Sequence, residues 1–272
     1  MENLSGRVAL AFAYDGTRFD SFARQPGKRT VEGELLATLA RARVLRDPRG
    51  QRFQVASRTD RGVSAWWNVC AFDTHHDPRS LPHVRGVPDG LHLLSAVECP
   101  RDFSPRRDAL ARRYVYHVQA PPGFDWPEVR KAARLFRGRH DFRDFSRRDE
   151  GVDPVRTLIR VAVVGSGGDR LVRFVAPSFL WEQVRRIVQA LVDVGNGRRT
   201  LASLRVQLAA PGRRPVAPAP PEPLVLERVE VPLAFPPVSE AAHRRLQKEV
   251  DAAWARWKLH AGLAASAPTR RR

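Results

Sequence analysis

Short apolar runs of strand length, bounded by turn-forming residues, constrain the fold of this chain more than any other feature. Residues 7–14 (RVALAFAY) form the first such run, stopped by Asp15-Gly16; 52–57, 67–73 and 91–98 follow in the first half. The second half carries runs at 113–118, 157–164, 170–176 and 224–231, with Gly165-Ser166-Gly167-Gly168 placed as a hairpin turn between two of them. Helical spacing interrupts this series irregularly. Thr30 is a helix cap for a segment to about Arg43, with Val31, Leu35, Leu36 and Leu39 on one face. Pro127 opens a helix to about Arg137, Ser178 caps one to Val194, and an Ala/Arg-rich stretch predicts a last helix over 238–260. Strands and helices that mix without strict alternation predict an α+β fold. A division near residue 104 gives an N-terminal lobe over 1–103, a C-terminal lobe over 104–236, and a helix with a basic tail over 237–272 that ends in Arg270-Arg271-Arg272.

The charge balance then narrows the partner. Lys+Arg total 47 against 29 Asp+Glu, a formal net charge of +18 that a folded surface must carry. A polyanion is the natural counterpart, nucleic acid ahead of a membrane, because no basic amphipathic anchor dominates the sequence. The basic residues are almost all arginine, whose planar fork can hold two phosphate oxygens at once. The opening residues lack the basic head and long apolar run of a signal peptide, and no apolar stretch approaches bilayer length, so a cytoplasmic protein is expected. Cys70 and Cys99 stand far apart and outside CxxC spacing, as buried free thiols rather than metal ligands or a disulfide framework.

Most familiar catalytic patterns are missing. The glycines at 165–168 lack the Lys-Ser/Thr of a phosphate loop. Adjacent His75-His76-Asp77 on an extended chain would point to opposite faces, which disfavours a shared metal. His140-Asp141 and Ser146 lack the glycines of a nucleophile elbow. What remains is the short polar loop Arg58-Thr59-Asp60-Arg61-Gly62 between two apolar runs. A carboxylate there can be oriented by the flanking arginines, and Gly62 lets the backbone turn without a Cβ clash.

The residues around that loop carry a resemblance. The segment from Ser57 to Thr74 is similar to the aspartate motif of tRNA pseudouridine synthases of the TruA type. Tyr14-Asp15-Gly16 with Phe19, Arg24 and Gln25 resembles that family's first-strand turn; Asp102 to Arg106 and Arg112 to Tyr116 resemble its aromatic motif. Gly138 to Phe142 with Pro154 to Thr157, and Phe179 to Arg186, follow in the family's order. Ser21-Phe22-Ala23, Ser57 and Ser64 depart from the bacterial pattern and resemble the archaeal and eukaryotic branch. The resemblance implies the pseudouridine synthase fold, two lobes each with a mostly antiparallel sheet flanked by helices, around a central cleft. It implies Asp60 as catalytic nucleophile or base, Tyr114 stacking on the target base, Arg185 pairing with Asp60, Arg58 contacting RNA or positioning the flipped nucleotide, and Leu224 packing under the base. It further implies a tRNA substrate modified in the anticodon stem-loop at positions 38–40, no metal or organic cofactor, and a homodimer. A non-catalytic RNA-binding protein on the same fold is the principal rival, and a metal-dependent nuclease is a second. A pure binder has no need of a carboxylate in a basic cleft, and a nuclease needs clustered carboxylates that the sequence lacks.

Overall fold

The structure, a computed structural model, describes residues 6–252 except 167–168, 213–214, 241 and 249. In chain order the regular elements are β1 (Gly6–Tyr14), α1 (Val31–Arg41), β2 (Gln54–Val55), β3 (Ser64–Thr74), β4 (Leu91–Cys99) and β5 (Ala111–Gln119). They continue with α2 (Trp126–Leu135), β6 (Gly138–Asp141), β7 (Val155–Leu158), β8 (Arg160–Val164), β9 (Asp169–Ala176), α3 (Gln183–Gly195), α4 (Leu201–Ala209) and β10 (Leu224–Glu230). The architecture is α+β: one large, mostly antiparallel sheet flanked by helices.

The sheet runs β4-β1-β3-β10-β5-β9-β8, and β2 joins it on β3. Strands from the two halves therefore meet in the middle. β10 makes that junction, parallel to β3 at Ser64 and Ala65 and antiparallel to β5 along its length. Along the same edge of β3, its start pairs with β10 while its end pairs with β2 at Cys70 and Ala71. The sheet forks at this point, and the polar loop 58–62 lies in the fork.

Alternation explains why these runs are strands. Val8, Leu10 and Phe12 of β1 pack with Phe72 and Leu35 in one core, whereas Ala11 and Ala13 face the other side with Leu94. That second face is covered by the chain after β10: Phe235 meets Trp67 edge-on at 5.5 Å, and Ser95 Oγ donates to the Pro236 carbonyl. Burying a side chain such as Phe12 or Leu35 fully contributes about 1.5–3 kcal/mol. In the second half α2 packs against α3, α4 and β8.

Several elements differ from the sequence expectation. Only Gln54 and Val55 of the 52–57 run pair as strand, because Arg52 adopts a left-handed backbone (φ 49°) that lets its guanidinium clasp Asp73. The 157–164 run is two strands: 155–158 pairs with β6, and at the exposed Ile159 the chain crosses to pair 160–164 with β9. Ser178 does not cap α3, which begins at Gln183 after Glu182 at φ 60°. The Gln183 side chain instead accepts from Leu180 N–H and folds 180–183 into a tight turn. α4 and β6 were not expected. The last predicted helix is observed at 240, over 242–248 and over 250–252, while 253–260 and the Arg270-Arg271-Arg272 tail lie outside the described residues. The centre of the expected hairpin turn, 167–168, lies outside them too, and β8 and β9 pair antiparallel on either side of it. Among the described residues, no helix is long and apolar enough to cross a membrane.

Candidate active site

The loop before β3 is held from every side. Tyr14, at the end of β1, shares a hydrogen bond of 2.9 Å between its hydroxyl and that of Thr59, and Thr59 Oγ1 donates to the Val63 carbonyl. Val63 N–H donates to the Asp60 carbonyl, closing a tight turn that requires Gly62 at φ 83°. A Cβ at Gly62 would also lie 3.1 Å from Pro221 Cγ, so the connector before β10 packs directly on the loop. At the loop's other end Asn68 Nδ2 donates to the Ser57 carbonyl at 2.8 Å. The side chain thereby takes over a backbone ladder position and frees residues 57–62 from the sheet.

Asp60 is left with its carboxylate turned to the cleft. Its side chain is 20% exposed, and Oδ2 accepts from Arg185 Nη1 at 3.0 Å. Arg185 comes from the first turn of α3 and is 13% exposed. Its Nε donates to the Ala219 carbonyl at 2.7 Å, and Ala219 N–H returns a bond to the Arg185 carbonyl. The guanidinium is therefore aimed before it meets Asp60. A partly buried pair held this way is more than a surface ion pair, because neither member is free to turn into water.

Tyr114 lies on the middle of β5, opposite Leu226 and Phe174, with its ring edge-on to Phe179 at 5.2 Å. Its hydroxyl is 3.3 Å from Ser57 Oγ, and burial holds its ionisation above the ordinary tyrosine range. Leu224, buried, opens β10 opposite Tyr116. Arg58 differs from these: it is 64% exposed, with Nη2 4.0 Å from Glu32 Oε1, and makes no contact with Asp60. All five expected residues line one cleft of about 1940 Å³. Arginines from both halves line the same cleft, among them Arg18, Arg29, Arg61, Arg106 and Arg148, so its field favours a polyanion.

Arg112 is a residue that the sequence did not single out. It is buried, and its guanidinium donates to the carbonyls of Ala56, Arg106 and Pro177. It thus bolts the entry of the Asp60 loop to the segment that leads into α3. The available signal was period two: Arg112, Tyr114 and Tyr116 share one face of β5, and an arginine on an inward face needs partners. Cys70 is buried and Cys99 half-buried. His75 and His76 stack on each other at 4.8 Å beyond the end of β3. Among the described residues no group of three or more His, Cys, Asp or Glu gathers as a metal would require.

Comparison with known proteins adds sequence relatives to this geometry. Residues 132–232 match the family model described as tRNA pseudouridine synthase. A "tRNA pseudouridine synthase A" of Thermococcus gammatolerans is 40% identical over 83% of this chain and 85% of its own length. That of Thermococcus onnurineus is 42% identical over 82% and 84%, and that of Pyrococcus furiosus 39% over 95% of each. Among solved structures, a chain of an H/ACA RNP bound to a substrate RNA containing 2'-deoxyuridine aligns at 12% identity and a TM-score of 0.36, over 65% of this chain and 42% of that one.

Proposed function

Because this chain belongs to the tRNA pseudouridine synthases, isomerases that make pseudouridine in tRNA, we propose that Asp60 is its catalytic nucleophile and that the cleft around it receives a flipped uridine. The observation that carries the reading is the Asp60–Arg185 pair, a partly exposed carboxylate fixed by an arginine that is itself tied to the backbone. The reaction is balanced within the substrate: the N1–C1′ bond breaks, the uracil turns, and C5 bonds to C1′ while N1 gains a proton and C5 loses one. No redox partner enters. Asp60 as its anion assists bond breaking, and the oriented guanidinium fixes its rotamer through both steps.

Extruding a base from an RNA stack costs a few kcal/mol. Tyr114 offsets this by stacking on the uracil, at about 1–3 kcal/mol per base, with Leu224 closing the opposite side. Arg58, exposed at the rim, contacts the RNA backbone. Residues 1–103 supply Asp60 while 104–236 supply Tyr114, Arg185 and Leu224, so both halves are needed for one site. The resemblance of the sequence motifs supports the anticodon stem-loop at positions 38–40 as the target region and a homodimer as the working form, and a tRNA substrate is consistent with the cytoplasm as its place.

The test is to incubate the purified protein with unmodified tRNA and EDTA, with spermidine keeping the RNA folded, and to map pseudouridine by nucleotide. The expected outcome is pseudouridine within positions 38–40. Modification elsewhere would overturn the target region, and none at all would overturn the catalytic reading.

A further inference from the structure

Large aromatic side chains of this protein are buried or half-buried, with one exception among the described residues. Trp181 is 46% exposed, and it lines the cleft four residues before Arg185. An indole exposed on the wall of a cleft offers apolar area that a ligand in the cleft can bury. The surroundings hold the ring rather than leave it loose. The guanidinium carbon of Arg147 lies 4.0 Å from the centre of the ring, and Arg147 N–H donates to the Trp181 carbonyl at 2.9 Å. The next residue, Glu182, is kept in a left-handed conformation although it is not glycine, and its carboxylate is clasped by Arg186 at 2.6 Å. That backbone turn departs from the helix that Ser178 would otherwise begin, and it puts Trp181 at the cleft wall. One side of the indole is thus covered by a cation while nearly half of the side chain stays open.

We propose that Trp181, backed by Arg147, is a stacking platform for an unpaired base of the RNA substrate, a nucleotide neighbouring the one drawn to Asp60. This rests on the reading of the cleft as an RNA-modifying site and extends it to a second base. A π face accepts any base, and a guanidinium behind it adds positive charge where the adjoining phosphates pass. Such a platform distinguishes RNA with a single-stranded region from uninterrupted duplex, since a paired base reaches it only at the added cost of unpairing and unstacking. Trp181 would then act in substrate choice, and Asp60 in chemistry.

The experiment compares two labelled RNAs of equal length at one salt concentration, a hairpin with an unpaired loop and a blunt duplex, by fluorescence polarisation. Trp181→Ala is expected to weaken hairpin binding about tenfold and to leave duplex binding within about twofold. Trp181→Leu, which keeps apolar bulk for folding and lacks the π face, should fail like Trp181→Ala, and Trp181→Phe should recover most of the loss. In parallel, 2-aminopurine in the hairpin loop should be quenched by the wild-type protein and not by Trp181→Leu. Equal loss for hairpin and duplex, or hairpin binding by Trp181→Leu as tight as wild type, would overturn the proposal. So would a change of oligomeric state with hairpin affinity intact, which would assign the ring to a subunit contact. The two readings fail separately. Trp181-dependent hairpin binding without any pseudouridine would strike only the catalytic reading, and pseudouridine formation with hairpin binding indifferent to residue 181 would strike only the platform.

Discussion

A methyl group added at Gly16 has no space to occupy. An ideal Cβ there would lie 2.1 Å from the Val63 carbonyl oxygen and 2.4 Å from its carbon, both backbone atoms, whereas Cβ contacts under 3.0 Å are essentially not seen. In Gly16→Ala one strand of backbone must therefore retreat by about 1 Å, and Val63 is the residue whose N–H closes the Asp60 turn. The Gly16 N–H bond to Ser64 Oγ, at 3.0 Å, would be stretched by the same movement. Overpacking of this kind costs about 1–3 kcal/mol of stability, a fall in melting temperature of a few degrees for a chain of this size. The rate should suffer more than the fold, because a misplacement of about 1 Å at a reacting group costs on the order of 100-fold. Single-turnover pseudouridine formation on tRNA, with a melting curve on the same preparation, reads both effects. Gly6→Ala is the control, since its Cβ would meet nothing within 4 Å. A Gly16→Ala protein that turns over at the wild-type rate would refute the claim that the loop's position sets the activity.

Two other outcomes follow from the same geometry. Arg185→Ala should cut the single-turnover rate by about 100-fold or more by releasing Asp60, and Arg185→Lys should restore only part, because one ammonium cannot serve both Asp60 and the Ala219 carbonyl; full activity in either variant would contradict the pairing. The three tyrosines, Tyr14, Tyr114 and Tyr116, are all buried, and burial raises the ionisation of each. A raised value in the folded state means stability that is complete below the ordinary tyrosine range, near pH 10, and is lost as pH climbs through the folded values. An absorbance titration should therefore show no phenolate until the protein unfolds cooperatively in alkali, and a gradual phenolate signal near pH 10 from the native protein would contradict it.

Much of this was legible in the sequence where one signal dominated. β1, β4, β5 and α1 follow from period and length, and Thr30 caps α1 through Gly33 N–H as its position suggests. The Asp60 loop was visible as a polar interruption between apolar runs, with Gly62 supplying the required backbone turn. What was hidden depended on partners distant in sequence. Arg52 leaves the strand conformation to reach Asp73, and Ile159 is where the chain changes from one sheet to the other. α4 was missed because LASLRVQLA carries apolar residues around the whole helix, leaving Val206 exposed, although Thr200 caps it in the ordinary way. The same limit applies to the site. Asp60 and Arg185 are named by motif, yet Arg112 and Trp181 gain meaning only from carbonyls and a guanidinium that folding brings to them.

The central claim is that the Asp60 carboxylate carries out the chemistry, and Asp60→Asn tests it most directly. Asparagine keeps the volume and can keep one contact with Arg185, while the charge and the nucleophile are lost. The measurement is pseudouridine formed per tRNA under single-turnover conditions, with circular dichroism and tRNA binding read on the same sample. The expected result is a folded protein that binds tRNA at least as well as wild type, since a negative group has left a cleft that meets phosphates, and forms no pseudouridine above background. A folded Asp60→Asn protein that makes pseudouridine at the wild-type rate would contradict the account.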